Sequence, residues 1–158
     1  MLLLVLIGLL AVITWQTMQL SRLHNEVETL RRGLTVQTAS ERRACSDRAA
    51  TYFRTLGYDE ANSIANNAST TFINHYSTTL NRCLMLLTTY DFSASTRGHS
   101  ENLFDVDERI EFGQYGLVGD MSPVAKPTVC NLSPPGRPEQ RCASTEEWRS
   151  FTNRLMNS

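Results

Sequence analysis

The chain has 158 residues, of which 41% are hydrophobic and 20% charged, and its formal net charge is −1. That length holds one domain plus an appendage, and the composition excludes a disordered chain. A near-neutral balance offers no basic field to a polyanion, so no nucleic-acid partner is expected.

The first feature in chain order is an apolar run, Leu2 to Ile13, interrupted only by Gly8, with no charged side chain before Arg22. A helix over Leu2 to Leu20 would be about 28 Å long at ~1.5 Å per residue, close to the ~30 Å hydrocarbon core of a bilayer. Trp15 suits the interface, where its ring is apolar and its N–H is wet. Residues 1–21 are therefore expected to form an uncleaved, single-pass membrane anchor. The densest part of the run also has the size of a signal-peptide core, but no A-x-A-like site follows it and the helical pattern continues past it. A cleaved signal and a buried soluble helix are the alternatives. Arg22, Arg31 and Arg32 all follow the run, and the positive-inside rule would hold them in the cytoplasm. The cysteines argue for the opposite orientation.

Leu20, Leu23, Val27, Leu30 and Leu34 come next, at spacings of 3, 4, 3 and 4. That is the a/d seam of a coiled coil, with Arg22, Asn25, Glu26, Glu28, Arg31 and Arg32 on the solvated side. Residues 22–39 are expected to be a heptad stalk that joins chains into a parallel homodimer or trimer. So short a seam is marginal by itself, and a single amphipathic helix lying on its own domain or on lipid is the alternative. Gly33 weakens the last turn, and Gln37 to Ser40 marks the expected exit from the stalk.

Residues 40–158 are expected to be one soluble α+β domain. Ser40 can cap a helix whose first turn holds Glu41. Cys45, Ala49, Tyr52, Phe53 and Leu56 share one face of it, and Gly57 is a natural stop. Asp59 to Asn67 can add a short helix. From Leu80 the period becomes two: Leu84, Leu86 and Tyr90 oppose Cys83, Met85 and Leu87, as in a strand buried on both faces. Ser93 to Ser100 is polar and predicts a loop. Leu103 to Val106 is short and apolar. Ile110 and Phe112 alternate out of phase with Tyr115 and Leu117, which predicts a β-bulge at Gly113. Pro123 to Pro127 is a connection, and the segment from Ser133 to Pro138 is a turn between Thr128–Leu132 and Glu139–Ala143. Ser144, Thr145, Glu146 and Glu147 form a capping-box pattern ahead of Trp148, Phe151 and Leu155. The order is helix, three to five antiparallel strands, helix.

The four cysteines, Cys45, Cys83, Cys130 and Cys142, are never closer than twelve positions, so no C-x-x-C redox pair or zinc knuckle exists. An even number behind an export-competent segment favours two disulfides in an oxidising compartment. Three connectivities are open. Cys45–Cys83, tying helix to strand, and Cys130–Cys142, closing the Pro-rich hairpin, are preferred. Four reduced core cysteines are the alternative.

Candidate chemistry is sparse. His75 is the weak catalytic candidate, as a base or ligand, although no partner is placed beside it in sequence. His24 falls on the stalk and His99 in the polar loop, so no three-histidine metal site is expected. Asp105, Asp107, Glu108 and Glu111 lack the glycine-turned, oxygen-rich loop of a calcium site and are expected on an exposed strand face. No G-x-S-x-G elbow is present. Asn67-Ala68-Ser69 and Asn131-Leu132-Ser133 match the glycosylation pattern, a frequent chance match. No cofactor is indicated.

The segment Asn74-His75-Tyr76-Ser77-Thr78-Thr79-Leu80-Asn81-Arg82-Cys83 resembles a motif of uncharacterised bacterial exported proteins, approximately N-H-Y-x3-L-N-x-C before an apolar strand. The resemblance extends to a cysteine in a preceding helix (Cys45), to the segment Asn102-Leu103-Phe104-Asp105, and to a late cysteine pair (Cys130, Cys142) before Glu146-Glu147-Trp148. It covers some 110 residues. It implies export and a shared fold, and no reaction. The family's usual Asn after His-Tyr is Ser77 here. The resulting expectation is an inner-membrane protein presenting a periplasmic interaction domain to an envelope protein or ligand. An oligomeric structural or phage-lysis component and an envelope hydrolase using His75 are the alternatives.

Overall fold

The computed structural model describes residues 2–58, 67–93, 97–119, 122, 125–136 and 138–157, without the side chains of residues 2–14, 17 and 34. The chain divides into two compact units, Met1–Ser40 and Glu41–Ser158.

One helix, α1, spans Leu2–Thr55. The expected exit at Gln37 to Ser40 is therefore absent, and Ser40 caps no new helix. No proline lies between these bounds, and a lone interior glycine costs about 1 kcal/mol relative to alanine, too little to end a helix that is supported further along. In the first unit Leu20, Leu23, Val27 and Leu30 of the seam are all exposed. Leu34 lies outside the described side chains, as does the apolar run Leu2 to Ile13 on which the anchor expectation rests. Among the described residues no helix is long and apolar enough to cross a membrane.

In the second unit the last turns of α1 are followed by β1 (Ala68–Ser77), β2 (Arg82–Asp91), β3 (Gly98–Asp105), β4 (Ile110–Val118), β5 (Val129–Leu132), β6 (Gln140–Arg141) and the helix α2 (Thr145–Met156). The strands form one six-stranded antiparallel sheet in chain order. The α+β expectation stands, with more strands than anticipated. The additional strand is β1, whose Thr, Phe, Ile and Tyr residues favour extended backbone but show no clean hydrophobic alternation. The expected helix over Asp59 to Asn67 lies outside the described residues apart from Asn67. The loop expected from Ser93 to Ser100 ends earlier, because β3 begins at Gly98.

Each face of the sheet carries a helix. Cys45, Ala49, Tyr52 and Phe53 of α1 pack with Phe72, Cys83, Met85, Phe104 and Val106. On the other face Trp148, Phe151, Leu155 and Met156 of α2 pack with Leu84, Leu103, Phe112, Tyr115 and Leu132. Strand β2 is thus buried on both sides, as its apolar run implies. Leu56, expected on the same helical face, is exposed just past the end of α1, where Gly57, φ 83°, donates its N–H to the Arg54 carbonyl. Ser144 caps α2 by accepting from the Glu147 N–H at 3.2 Å, and the Glu147 carboxylate accepts from the N–H of Ala143, the residue before the cap, at 2.7 Å, a variant of the expected capping box.

The register slips between Leu103 and Phe104, which face Gly113 and Glu111 and leave Phe112 as the extra residue. The bulge lies one position from where the phase change placed it. Gly113 is needed for a separate reason: a Cβ there would stand 2.6 Å from the Asn131 carbonyl oxygen and 2.7 Å from Leu132 Cδ1. Cys45 pairs with Cys83 and Cys130 with Cys142, each with Cα atoms 5.2 Å apart.

Candidate functional site

The motif around His75 becomes the β1–β2 hairpin. Asn81 takes the left-handed conformation, φ 53°, that a tight turn needs and that Asn tolerates. Its side-chain oxygen accepts from the Tyr76 hydroxyl. Ser77 Oγ accepts from the Leu80 N–H at 3.3 Å. Asn74 Nδ2 contacts Cys45 Sγ at 3.9 Å, beside the disulfide to Cys83. The motif's side chains therefore shape a turn and flank a crosslink. His75 is half-buried, lies opposite Leu84 and projects from the sheet face that also bears Ile73.

Asp105, Asp107 and Glu108 do not line an exposed strand face. Asp105 is fully buried at the end of β3 and is bonded to Arg82. Its Oδ1 accepts from the Asp107 and Glu108 N–H groups at 2.9 and 3.2 Å, which fastens the β3–β4 turn. Arg82 also reaches Glu108 Oε1 at 2.6 Å, and the two carboxylates, Asp105 first, raise its already high pKa. Asp107 Oδ1 stands 2.7 Å from Arg48 Nε, and its Oδ2 accepts from the Cys83 N–H at 3.3 Å. Glu111 alone of the four is an exposed residue within a strand. Beside this turn a cleft of about 360 Å³ opens between the end of α1 and Asp107, lined by Arg48, Thr51, Tyr52, Thr55 and Arg109. Its charges are mixed and Arg48 is already paired. No His or Cys lines it.

The most unusual chemistry lies under α2 and was not legible as a site. His99 sits in β3, where it was expected in a loop, and it is buried together with Glu101. His99 is stacked on Tyr90 at 4.7 Å and meets Tyr115 edge-on at 5.7 Å, and Tyr115 stacks on Trp148 at 5.8 Å. Glu101 Oε2 accepts from the Trp148 indole N–H at 2.6 Å, while Oε1 stands 3.1 Å from His99 Nε2. Tyr115 and Thr145 hydroxyls bond at 2.6 Å. Burial pushes the Glu101 carboxyl up, but His99 and the Trp148 N–H outweigh it, with Arg149 adding, and hold it below the usual carboxylate range. The available signal was the alternation of His99, Glu101, Leu103 and Asp105, a strand face written mostly in polar residues. The cluster lies beneath α2 and is tied to it by the Trp148 and Thr145 hydrogen bonds.

Among the described residues no group of three His, Cys, Asp or Glu side chains is placed to hold a metal ion. The chain matches no protein-family model, no curated protein and no solved structure.

Proposed function

We propose that this chain is a non-enzymatic envelope protein, anchored in the inner membrane by residues 1–21, that presents its α+β domain in the periplasm to an envelope protein or ligand and is held as a homo-oligomer by its stalk. The observation that carries this reading is the exposed seam. Leu20, Leu23, Val27 and Leu30 are 66%, 59%, 59% and 68% exposed, and they lie on one stripe of a helix at heptad spacing. A stripe of that kind is stable in water when other copies cover it. Two further features support the reading. The disulfides suit an oxidising compartment, and the segment that resembles the motif of exported proteins forms a turn beside a crosslink. The same seam favours one structural alternative, an oligomeric envelope or phage-lysis component in which anchor and stalk carry the activity.

The test is thiol labelling in intact cells with a membrane-impermeant reagent, before and after reduction, followed by cross-linking. Cys45, Cys83, Cys130 and Cys142 are expected to label only after reduction and from the periplasmic side. Labelling without reductant from the cytoplasmic side would overturn the compartment. A domain whose deletion leaves activity intact while polar seam substitutions abolish it would favour the structural alternative.

A further inference from the structure

The two edges of the sheet are guarded differently. Strand β6 is only two residues long, Gln140–Arg141. It follows Pro138 and Glu139, and the adjoining Cys142 is bound to Cys130. Shortness, charge and proline are the devices by which proteins stop a sheet edge from recruiting another strand. Strand β1, at the opposite edge, has ten residues and uses none of them: Ala-Ser-Thr-Thr-Phe-Ile-Asn-His-Tyr-Ser contains no charge and no proline.

The direction of its backbone groups follows from the ladder. The Phe92 N–H donates to the Asn67 carbonyl at 3.0 Å, one step beyond the Ala68–Asp91 pair. Bonded and non-bonded pairs alternate in an antiparallel ladder. Ser69, Thr71, Ile73, His75 and Ser77 therefore direct their backbone groups to β2, and Ala68, Thr70, Phe72, Asn74 and Tyr76 direct theirs away from it. Among the described residues no group bonds to that outward row. At the middle of the strand Ile73, a large β-branched apolar side chain, is 60% exposed.

We propose that β1 is a self-association edge: a second copy of this chain adds its own β1 antiparallel about a two-fold axis through Ile73, joining two six-stranded sheets into one. Strand addition needs outward groups to meet outward groups. The register centred on Ile73 does this, placing Phe72 opposite Asn74 and Thr70 opposite Tyr76 in bonded pairs. It also sets Ile73 against Ile73 in a close non-bonded pair, with Cα atoms ~4.5 Å apart, and covers the exposed side chain. Thr71 then faces His75 and Ser69 faces Ser77, with no like charges opposed. The strand is thus complementary to itself, as an isologous interface requires. This edge belongs to the unit Glu41–Ser158, and the inference stands whether or not the seam associates.

The experiment uses the full-length chain with Leu23→Asp and Val27→Asp, so that the seam does not hold copies together. Ile73→Cys is compared with Thr71→Cys, an exposed neighbour that faces His75 of the other copy. A non-bonded antiparallel pair suits disulfide geometry. Ile73→Cys is expected to give a reducible covalent dimer under mild oxidation, and Thr71→Cys to give none. In parallel, Ile73→Lys and Ile73→Glu are each expected to abolish chemical cross-linking of like copies, and co-expression of the two to restore it as the mixed pair. Equal dimer from both cysteine variants, self-association unaffected by Ile73→Lys, or covalent capture of a different protein at position 73 would each overturn the proposal.

Discussion

Glu101 carries a charge where charge is costly, and the residues around it decide the outcome. Desolvation favours the protonated carboxyl, while His99 and the Trp148 indole favour the carboxylate, and the latter two prevail. A carboxyl whose pKa is lower in the folded than in the unfolded chain adds stability above the unfolded value and loses it as pH falls through the folded one. The ordinary value is 4.5, so this contribution is complete at neutral pH and is lost in acid below that value. Glu101→Gln keeps an acceptor for Trp148 but removes the charge. It should lower stability at pH 7 by about 1–3 kcal/mol and flatten the decline below pH 4.5, read by fluorescence melts between pH 7 and 3. Asp105 makes a different case, because it satisfies two backbone N–H groups and Arg82 together. Asp105→Ala leaves those donors without their acceptor in the turn. A loss of about 2–3 kcal/mol is expected, read by denaturant titration, with partial recovery in Asp105→Asn, which keeps an acceptor for the turn N–H groups while Glu108 still pairs with Arg82.

At the scale of elements, the sequence was legible wherever a local rule and the tertiary context agreed. Ser144 to Glu147 reads as a capping box, and Ser144 does cap α2, with Glu147 reaching back to the Ala143 N–H in place of Ser144's own. The phase change between Ile110–Phe112 and Tyr115–Leu117 reads as a bulge and is one, at Phe112 beside Gly113. The paired cysteines of β5 and the segment after it follow from the Pro-rich turn between them. Legibility failed where burial overrode local appearance. His99 looks like a loop residue because its neighbours are polar, yet it lies in β3 close to Glu101, which accepts from Trp148 beneath α2, an arrangement that pairwise rules along the chain do not reveal. Ser40 looks like a cap, yet α1 runs on through it because nothing in that stretch breaks a helix strongly enough. Gly113→Ala tests the packing account of the bulge region. Its Cβ would press on Asn131 backbone and on Leu132, so a loss of about 1–3 kcal/mol is expected, whereas Gly136→Ala, at a position with open space but φ 71°, should cost about 1 kcal/mol from backbone strain alone. The Cys45–Cys83 bridge closes a span of 38 positions. On the loop-entropy account it contributes about 4 kcal/mol, so Cys45→Ser with Cys83→Ser should unfold at markedly lower denaturant with α1 detached first, visible as early loss of the Tyr52 and Phe53 environment.

At the scale of the whole molecule, the question is what an exposed apolar seam does in a chain whose second unit already has its own core. Were the seam only an amphipathic face resting on other parts of one chain, polar substitution would change how that chain packs and leave its copy number alone. Were it a coiled-coil interface, the same substitution would separate copies without unfolding the sheet. Leu23→Asp with Val27→Asp distinguishes these outcomes because both residues are exposed, at 59% each, and lie outside the unit Glu41–Ser158. On the proposed reading, cross-links between the stalks of full-length copies in detergent are lost. The acid and denaturant transitions of the sheet stay within about 0.5 kcal/mol of the parent, as expected for surface changes remote from the core. Conservative Leu23→Ile with Val27→Ile should keep the oligomer, since β-branched residues at seam positions alter the number of strands before they abolish association. A parent whose stalks do not cross-link under those conditions would remove the seam as an interface and leave the edge of β1 as the surface proposed between copies.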